Sequence, residues 1–139
     1  MEIINKNVTF LTNCEVYHLL KPLAKMNNNN SNNLEQQTTT KDKNLPTIVY
    51  ESLRYLEKTP CAEQTSQQVT EFLNKLDERK TEFNLTKIEK LQLINQKPTT
   101  PVELQYIIED SEERFTLEQM DDLLEFVIAN LSNQAVLND

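Results

Sequence analysis

No glycine occurs anywhere in the 139 residues. Glycine supplies the left-handed backbone of tight β-hairpins and the close backbone approach of phosphate-cradling loops. A chain without it is steered away from hairpin-rich sheets, dinucleotide folds and nucleotide-binding loops. Helices can do without it if their ends are held by other means, and the sequence supplies those means repeatedly. Thr86 is followed three residues later by Glu89, Thr100 by Glu103, Thr116 by Gln119 and Thr12 by Glu15. Each is a capping-box pattern: the Thr hydroxyl accepts from a free backbone N–H of the first turn, and the Glu or Gln reaches back to the Thr N–H. Pro101 follows Thr100 at the first helical position, where a missing N–H costs nothing.

Behind each cap the apolar residues recur at helical spacing: Ile88, Leu91 and Ile94, then Leu104, Ile107 and Ile108, then Met120, Leu123, Leu124, Val127, Ile128 and Leu131. Pro46 opens a further helix with Val49, Leu53 and Leu56 on one face, and Thr59-Pro60 stops it. Ser66 caps another, with Val69, Phe72, Leu73 and Leu76 as its stripe. None of these helices can bury its stripe alone, so they are expected to pack as one module. The helix after Thr12 carries Val16, Tyr17, Leu19, Leu20 and Leu23, and Pro22 ends or kinks it. Residues 2–11 mix β-branched and polar residues but have no second strand to pair with, so they form an unpaired arm or add to a partner's sheet. The tract 26–44 is Asn-, Gln- and Thr-rich with almost nothing to bury. The predicted fold class is all-α: an N-terminal arm and partner-docking helix over 1–25, a disordered linker over 26–45, a compact bundle over 46–131 and a frayed tail over 132–139.

The net charge of −8 is unevenly placed. Residues 1–100 sum to +1 and residues 101–139 to −9, with Arg114 the one cation in the latter stretch. So acidic a half repels phosphate backbones and suits a basic groove on a partner; nucleic acid is expected at most indirectly or weakly. The basic run Lys75, Arg79, Lys80, Lys87, Lys90 and Lys97 is interleaved with Asp77, Glu78, Glu82 and Glu89 and lacks stacking aromatics, so it reads as a solvated face.

Chemistry is sparse. His18 is the only histidine, four residues after Cys14, and a Cys–His pair there is weighed against an ordinary helix-surface or interface histidine, which is the reading adopted. Cys14 and Cys61 lack metal-ligand spacing. A calcium loop counted from Asp110 fails, because Arg114 and Phe115 fall where a ligand and the turn glycine belong. No catalytic residue, cofactor or metal is assigned. No signal-peptide pattern and no spanning run of about 20 apolar residues is present, so no membrane is expected.

Four stretches carry a family resemblance: Leu11 to Leu20 (LTNCEVYHLL), Tyr50 to Cys61 (YESLRYLEKTPC), Leu85 to Gln105 (LTKIEKLQLINQKPTTPVELQ) and Ile108 to Gln119 (IEDSEERFTLEQ). They resemble, in order, the smaller stalk subunits of RNA polymerase III, the CGRP-receptor-component family related to the fourth-largest subunit of polymerase II. The resemblance covers most of residues 10–131 and skips the Asn-rich insert. It implies an HRDC-like helical domain and a non-catalytic role in transcription initiation of small RNA genes such as those for tRNA and 5S rRNA. It implies a nuclear location, a heterodimer with a larger OB-fold stalk subunit, and contacts with the polymerase III core and initiation factors. On this resemblance, Ile4, Val8, Phe10, Val16, Tyr17, Leu19, Leu20, Tyr50 and Leu53 are the candidate interface residues. The polymerase II equivalent, a free-standing HRDC-like nucleic-acid module and a receptor-associated adaptor are the alternative readings.

Overall fold

The structure, a computed structural model, describes residues 9–30 and 44–132. Among these residues it contains helices and no strand. The elements are α1 (Asn13–Asn30), α2 (Leu45–Leu56), a 3₁₀ turn (Pro60–Ala62), α3 (Ser66–Glu78), α4 (Lys87–Gln96), α5 (Pro101–Ile107), α6 (Ser111–Arg114) and α7 (Leu117–Leu131). The all-α expectation holds.

All four Thr boxes form. The hydroxyls of Thr86, Thr100 and Thr116 accept from the N–H groups of Glu89, Glu103 and Gln119, whose side chains reach back. Before α1, Thr12 N–H donates to Glu15 Oε2 (2.6 Å) and Glu15 N–H to the Thr12 hydroxyl (3.2 Å). The cap of α3 is Thr65 rather than Ser66; its hydroxyl accepts from Gln68 N–H, and Ser66 is the first helical residue.

Among the described residues, two positions carry the left-handed backbone that glycine would otherwise supply. Lys97 closes α4 at φ 46°, and Asp110 opens α6 at φ 50°. The short α6 was not anticipated from the sequence.

The core is a single cluster. Phe72, Leu76, Phe83, Leu93, Ile94, Leu104, Leu123, Val127 and Leu131 are all essentially inaccessible. Phe126 of α7 lies between Phe72 and Phe83, with centroids 5.5 and 6.2 Å away, in tilted rather than stacked geometry. The α4 stripe is rotated from its expected phase. Ile88 is 54% exposed, whereas Glu89 is 5% exposed and shares the inward face with Leu93, one turn later. An ion pair to Arg114, described below, holds Glu89 there.

The sequence reading set the N-terminal helix apart from the bundle as a docking helix ending at residue 25. Instead α1 continues through Pro22 to Asn30 and packs on α2, the 3₁₀ turn and the core. Two polar contacts join it to the bundle or to the segment leading there: Asn13 N–H donates to Asn95 Oδ1 (2.8 Å) and the Cys14 thiol to the Gln64 carbonyl (3.5 Å), while Gln64 Nε2 in turn donates to the Ile94 carbonyl (2.8 Å). Pro22 removes one N–H donor and crowds the His18 carbonyl, a cost of about 3 kcal/mol, yet the helix continues past it.

Candidate partner-binding surface

The helices α1 and α2 lie against each other, and both carry more apolar side chains than that contact can bury. On α1, Cys14 and Tyr17 turn inward, while Leu19, Leu23 and Met26, at i, i+4 and i+7, face solvent. On α2, Val49 and Leu56 turn inward, while Leu45, Ile48 and Tyr55 form an exposed stripe at i, i+3 and i+10. Leu19 is 60% and Ile48 59% exposed. Exposed apolar side chains at helical spacing on two adjoining helices make these stripes a candidate interaction surface. A second apolar feature is a groove of about 650 Å³ between the segment before α1 and helices α3 and α4, lined by Phe10, Thr12, Val69, Leu73, Leu91 and Ile94 among others.

The nine sequence candidates are distributed unevenly over these features. Ile4 and Val8 lie outside the described residues. Phe10 is exposed and lines the groove. Leu19 and Tyr50 are exposed. Val16, Leu20 and Leu53 are partly buried against the chain's own core. Tyr17 is no surface residue: it is 5% exposed, and the Lys21 ammonium sits 4.3 Å from its ring centroid. Sequence reasoning missed Met26, Leu45, Ile48 and Tyr55 as surface residues. The available signal was the breadth of the α1 apolar arc, which runs from Tyr17 through Leu20, Val16 and Leu23 to Met26 and exceeds what one packing face covers.

Half of the basic run has side-chain partners. Lys90 pairs with Asp77, and Lys75 donates to Asn130 Oδ1 (2.9 Å). Arg79 pairs with Glu82 and lies over the Phe83 ring, 4.5 Å from its centroid. The Lys90 contact holds the Asp77 carboxyl below its ordinary value. The basic run is thus partly salt-bridged and spread over α3, α4 and the turn between them.

Cys14 and His18 do meet, with Sγ 3.5 Å from Nδ1. Burial, then Cys61 and Glu15, push the Cys14 thiol pKa upward, which suppresses the thiolate a nucleophile requires. His18 Nδ1 also lies 2.8 Å from the Cys14 carbonyl, an i−4 contact within the helix. Cys61 is likewise buried, against the Thr59 hydroxyl (3.0 Å) and the Leu56 carbonyl (3.3 Å). Among the described residues no group of three His, Cys, Asp or Glu is arranged to hold a metal, and no helix is long and apolar enough to cross a membrane. What this arrangement can do is bind another macromolecule through apolar contact.

Residues 10–130 match the family model described as RNA polymerase Rpb4. A relative from Schizosaccharomyces pombe, DNA-directed RNA polymerase III subunit rpc9, is 32% identical over 126 residues, covering 90% of this chain and 95% of its own. A relative of the same name from Dictyostelium discoideum is 31% identical over 143 residues, covering 100% of this chain and 97% of its own.

Proposed function

The chain belongs to the RNA polymerase Rpb4 family, and from that premise we propose that it is a non-catalytic stalk subunit of DNA-directed RNA polymerase III, working in the nucleus. The observation that carries this reading is the alignment of two polymerase III subunits over nearly the full length of both partners in each comparison. The Cys14 chemistry is consistent with it, since the most suggestive polar pair in the chain is a thiol held protonated.

In this reading the chain forms a heterodimer with the larger, OB-fold stalk subunit. The exposed stripes of α1 and α2 seat that partner, with Leu19 and Ile48 as central anchors; Tyr50, two residues after Ile48, lies on the other flank of α2. The OB fold handles nucleic acid, and this chain holds it in position beside the polymerase core and presents a surface to initiation factors at tRNA and 5S rRNA genes. The acidic C-terminal half supports an indirect relation to nucleic acid, because it repels phosphate.

Gentle affinity purification of the tagged full-length chain, with co-purifying proteins identified by mass spectrometry, tests the proposal. A stoichiometric OB-fold subunit together with polymerase III-specific subunits is expected. Polymerase II subunits in their place would correct the polymerase class. Recovery of the chain alone, or only with membrane-receptor components, would sink the stalk assignment.

A further inference from the structure

Two of the five prolines follow a threonine, giving Thr59-Pro60 and Thr100-Pro101. Both threonines have extended backbone, at φ −103°, ψ 163° and φ −123°, ψ 152° respectively. A threonine in extended backbone followed by proline is the minimal substrate of proline-directed protein kinases, so local shape does not distinguish the two sites. The exposure of their hydroxyls does.

The Thr59 hydroxyl donates to the Leu56 carbonyl at 2.7 Å and lies 3.0 Å from the buried Cys61 sulfur. It is committed to closing the turn after α2, and its side chain is half-buried. The Thr100 oxygen accepts from Glu103 N–H through a long 3.4 Å contact, and its hydroxyl lies beside the exposed Glu103 carboxylate rather than against a buried partner. Residues 99 to 103 are all exposed, so the acceptor is presented within a continuous accessible segment.

We propose that Thr100 is a phosphoryl-acceptor site for a proline-directed kinase, and that its modification opens the joint between α4 and α5. The bond from Thr100 Oγ to the γ-phosphorus of ATP forms as the bond to ADP breaks, and the hydroxyl proton passes to the kinase's base. The structural consequence follows from Glu103. Its Oε2 accepts from Thr99 N–H (2.8 Å), from Thr100 N–H (3.2 Å) and from the Thr99 hydroxyl (3.3 Å). A phosphate of nearly two negative charges on Thr100 is set directly against that carboxylate. Like-charge repulsion displaces Glu103 from the Thr99 and Thr100 N–H groups, and in the proposed opening this loss exceeds the attraction of the phosphate for the free N–H groups at the start of the short α5.

The test is incubation of the full-length chain with a purified proline-directed kinase and ATP, followed by site mapping by mass spectrometry and a thermal melt. One phosphate on Thr100 is expected, retained in Thr59→Ala and lost in Thr100→Ala. Pro101→Ala keeps both the hydroxyl and the cap, so its loss of phosphorylation identifies the proline as the recognised feature even if Thr100→Ala folds poorly. The phosphorylated chain is expected to melt about 4–8 °C lower, the shift a lost cap produces in a small domain. An unmodified Thr100, a phosphate on Thr59 instead, or full phosphorylation of Pro101→Ala overturns the site. An unchanged melt after stoichiometric modification of Thr100 overturns the proposed opening of the joint.

Discussion

Arg114 grips Glu89 across 25 residues of sequence, through both guanidinium nitrogens onto both carboxylate oxygens. Glu89 is also the capping residue of α4: its Oε2 accepts from Thr86 N–H (2.8 Å) and its Oε1 from Glu109 N–H (3.3 Å). Arg114 completes the arrangement by donating to the carbonyls of Asn84 (2.8 Å) and Glu109 (2.9 Å). One carboxylate and one guanidinium thus tie the start of α4 to the end of α5 and to α6.

Removing either partner is expected to cost unequal amounts. Arg114→Met leaves a buried carboxylate without its cation. A fully buried broken pair costs about 3–5 kcal/mol, but the Arg114 side chain is 29% exposed, so about 2 kcal/mol is expected after discounting for solvent. Glu89→Gln keeps the capping geometry, as Gln119 does in α7, and leaves an arginine that water can reach. It is expected to cost about 1 kcal/mol. Urea denaturation of the two variants measures both, and a Gln variant less stable than the Met variant would refute the ranking.

Acid sensitivity follows from the same pair. Burial pushes the Glu89 carboxyl pKa up, but the Arg114 guanidinium and the Thr86 and Glu109 N–H groups outweigh burial and hold it below its ordinary value of 4.5. A depressed carboxylate adds stability that is fully present above the unfolded-state value and is lost as pH falls through the folded-state value. The wild type is therefore expected to weaken progressively below about pH 4.5. Asp77 and Glu103, also depressed, act in the same direction. The stability gap between wild type and Arg114→Met is expected to narrow over this range, because protonated Glu89 no longer needs its cation. Urea midpoints from about pH 7 to about pH 3 read this directly, and a gap that widens on acidification would contradict it.

The caps at Thr12, Thr86, Thr100 and Thr116 were legible because a capping box lies within four residues and needs no tertiary information. The α7 core face was legible for a similar reason, since its apolar residues outnumber any alternative phase. The α4 face was misjudged because a glutamate was assumed to point outward, and the partner that turns it inward is 25 residues away. The surface stripes of α1 and α2 were only partly legible. Which edge of a broad apolar arc is left uncovered depends on how two helices dock, and Tyr17 and Leu19 look equivalent until they do.

The glycine-free sequence leaves an identifiable strain. Lys97 adopts φ 46°, ψ 67°, where a residue with a Cβ is disfavoured by about 1–2 kcal/mol. Lys97→Gly relieves that strain but adds backbone freedom to the unfolded chain, an offset of about 0.4–1 kcal/mol. A net gain of about 0.5–1 kcal/mol is expected. Asp110→Gly is expected to gain less, because aspartate tolerates the left-handed region. Lys97→Val, which crowds the same conformation with a branched side chain, is expected to destabilise. Thermal melts of the three variants decide the order.

The exposed and buried faces of α1 separate binding from folding. Leu19 and Ile48 contribute little to the isolated chain because most of their surface already meets water. Leu19→Asp combined with Ile48→Asp is thus expected to leave the melting temperature nearly unchanged. If the OB-fold subunit covers these stripes, the same change places two charges in a desolvated apolar contact and weakens the heterodimer at least tenfold, an effect of about 1.4 kcal/mol or more. Tyr17→Ala should behave in the opposite way. It empties a core position beside Cys14 and destabilises the chain by about 3 kcal/mol, and any loss of partner binding then follows from unfolding. Co-expression with the larger subunit, quantitative pull-down and a melt of each free variant distinguish the two. Full binding by the double aspartate variant would remove the α1–α2 stripes from the interface. It would leave the groove beside Phe10 as the surface to mutate next, with Leu73 and Leu91 the first positions to change.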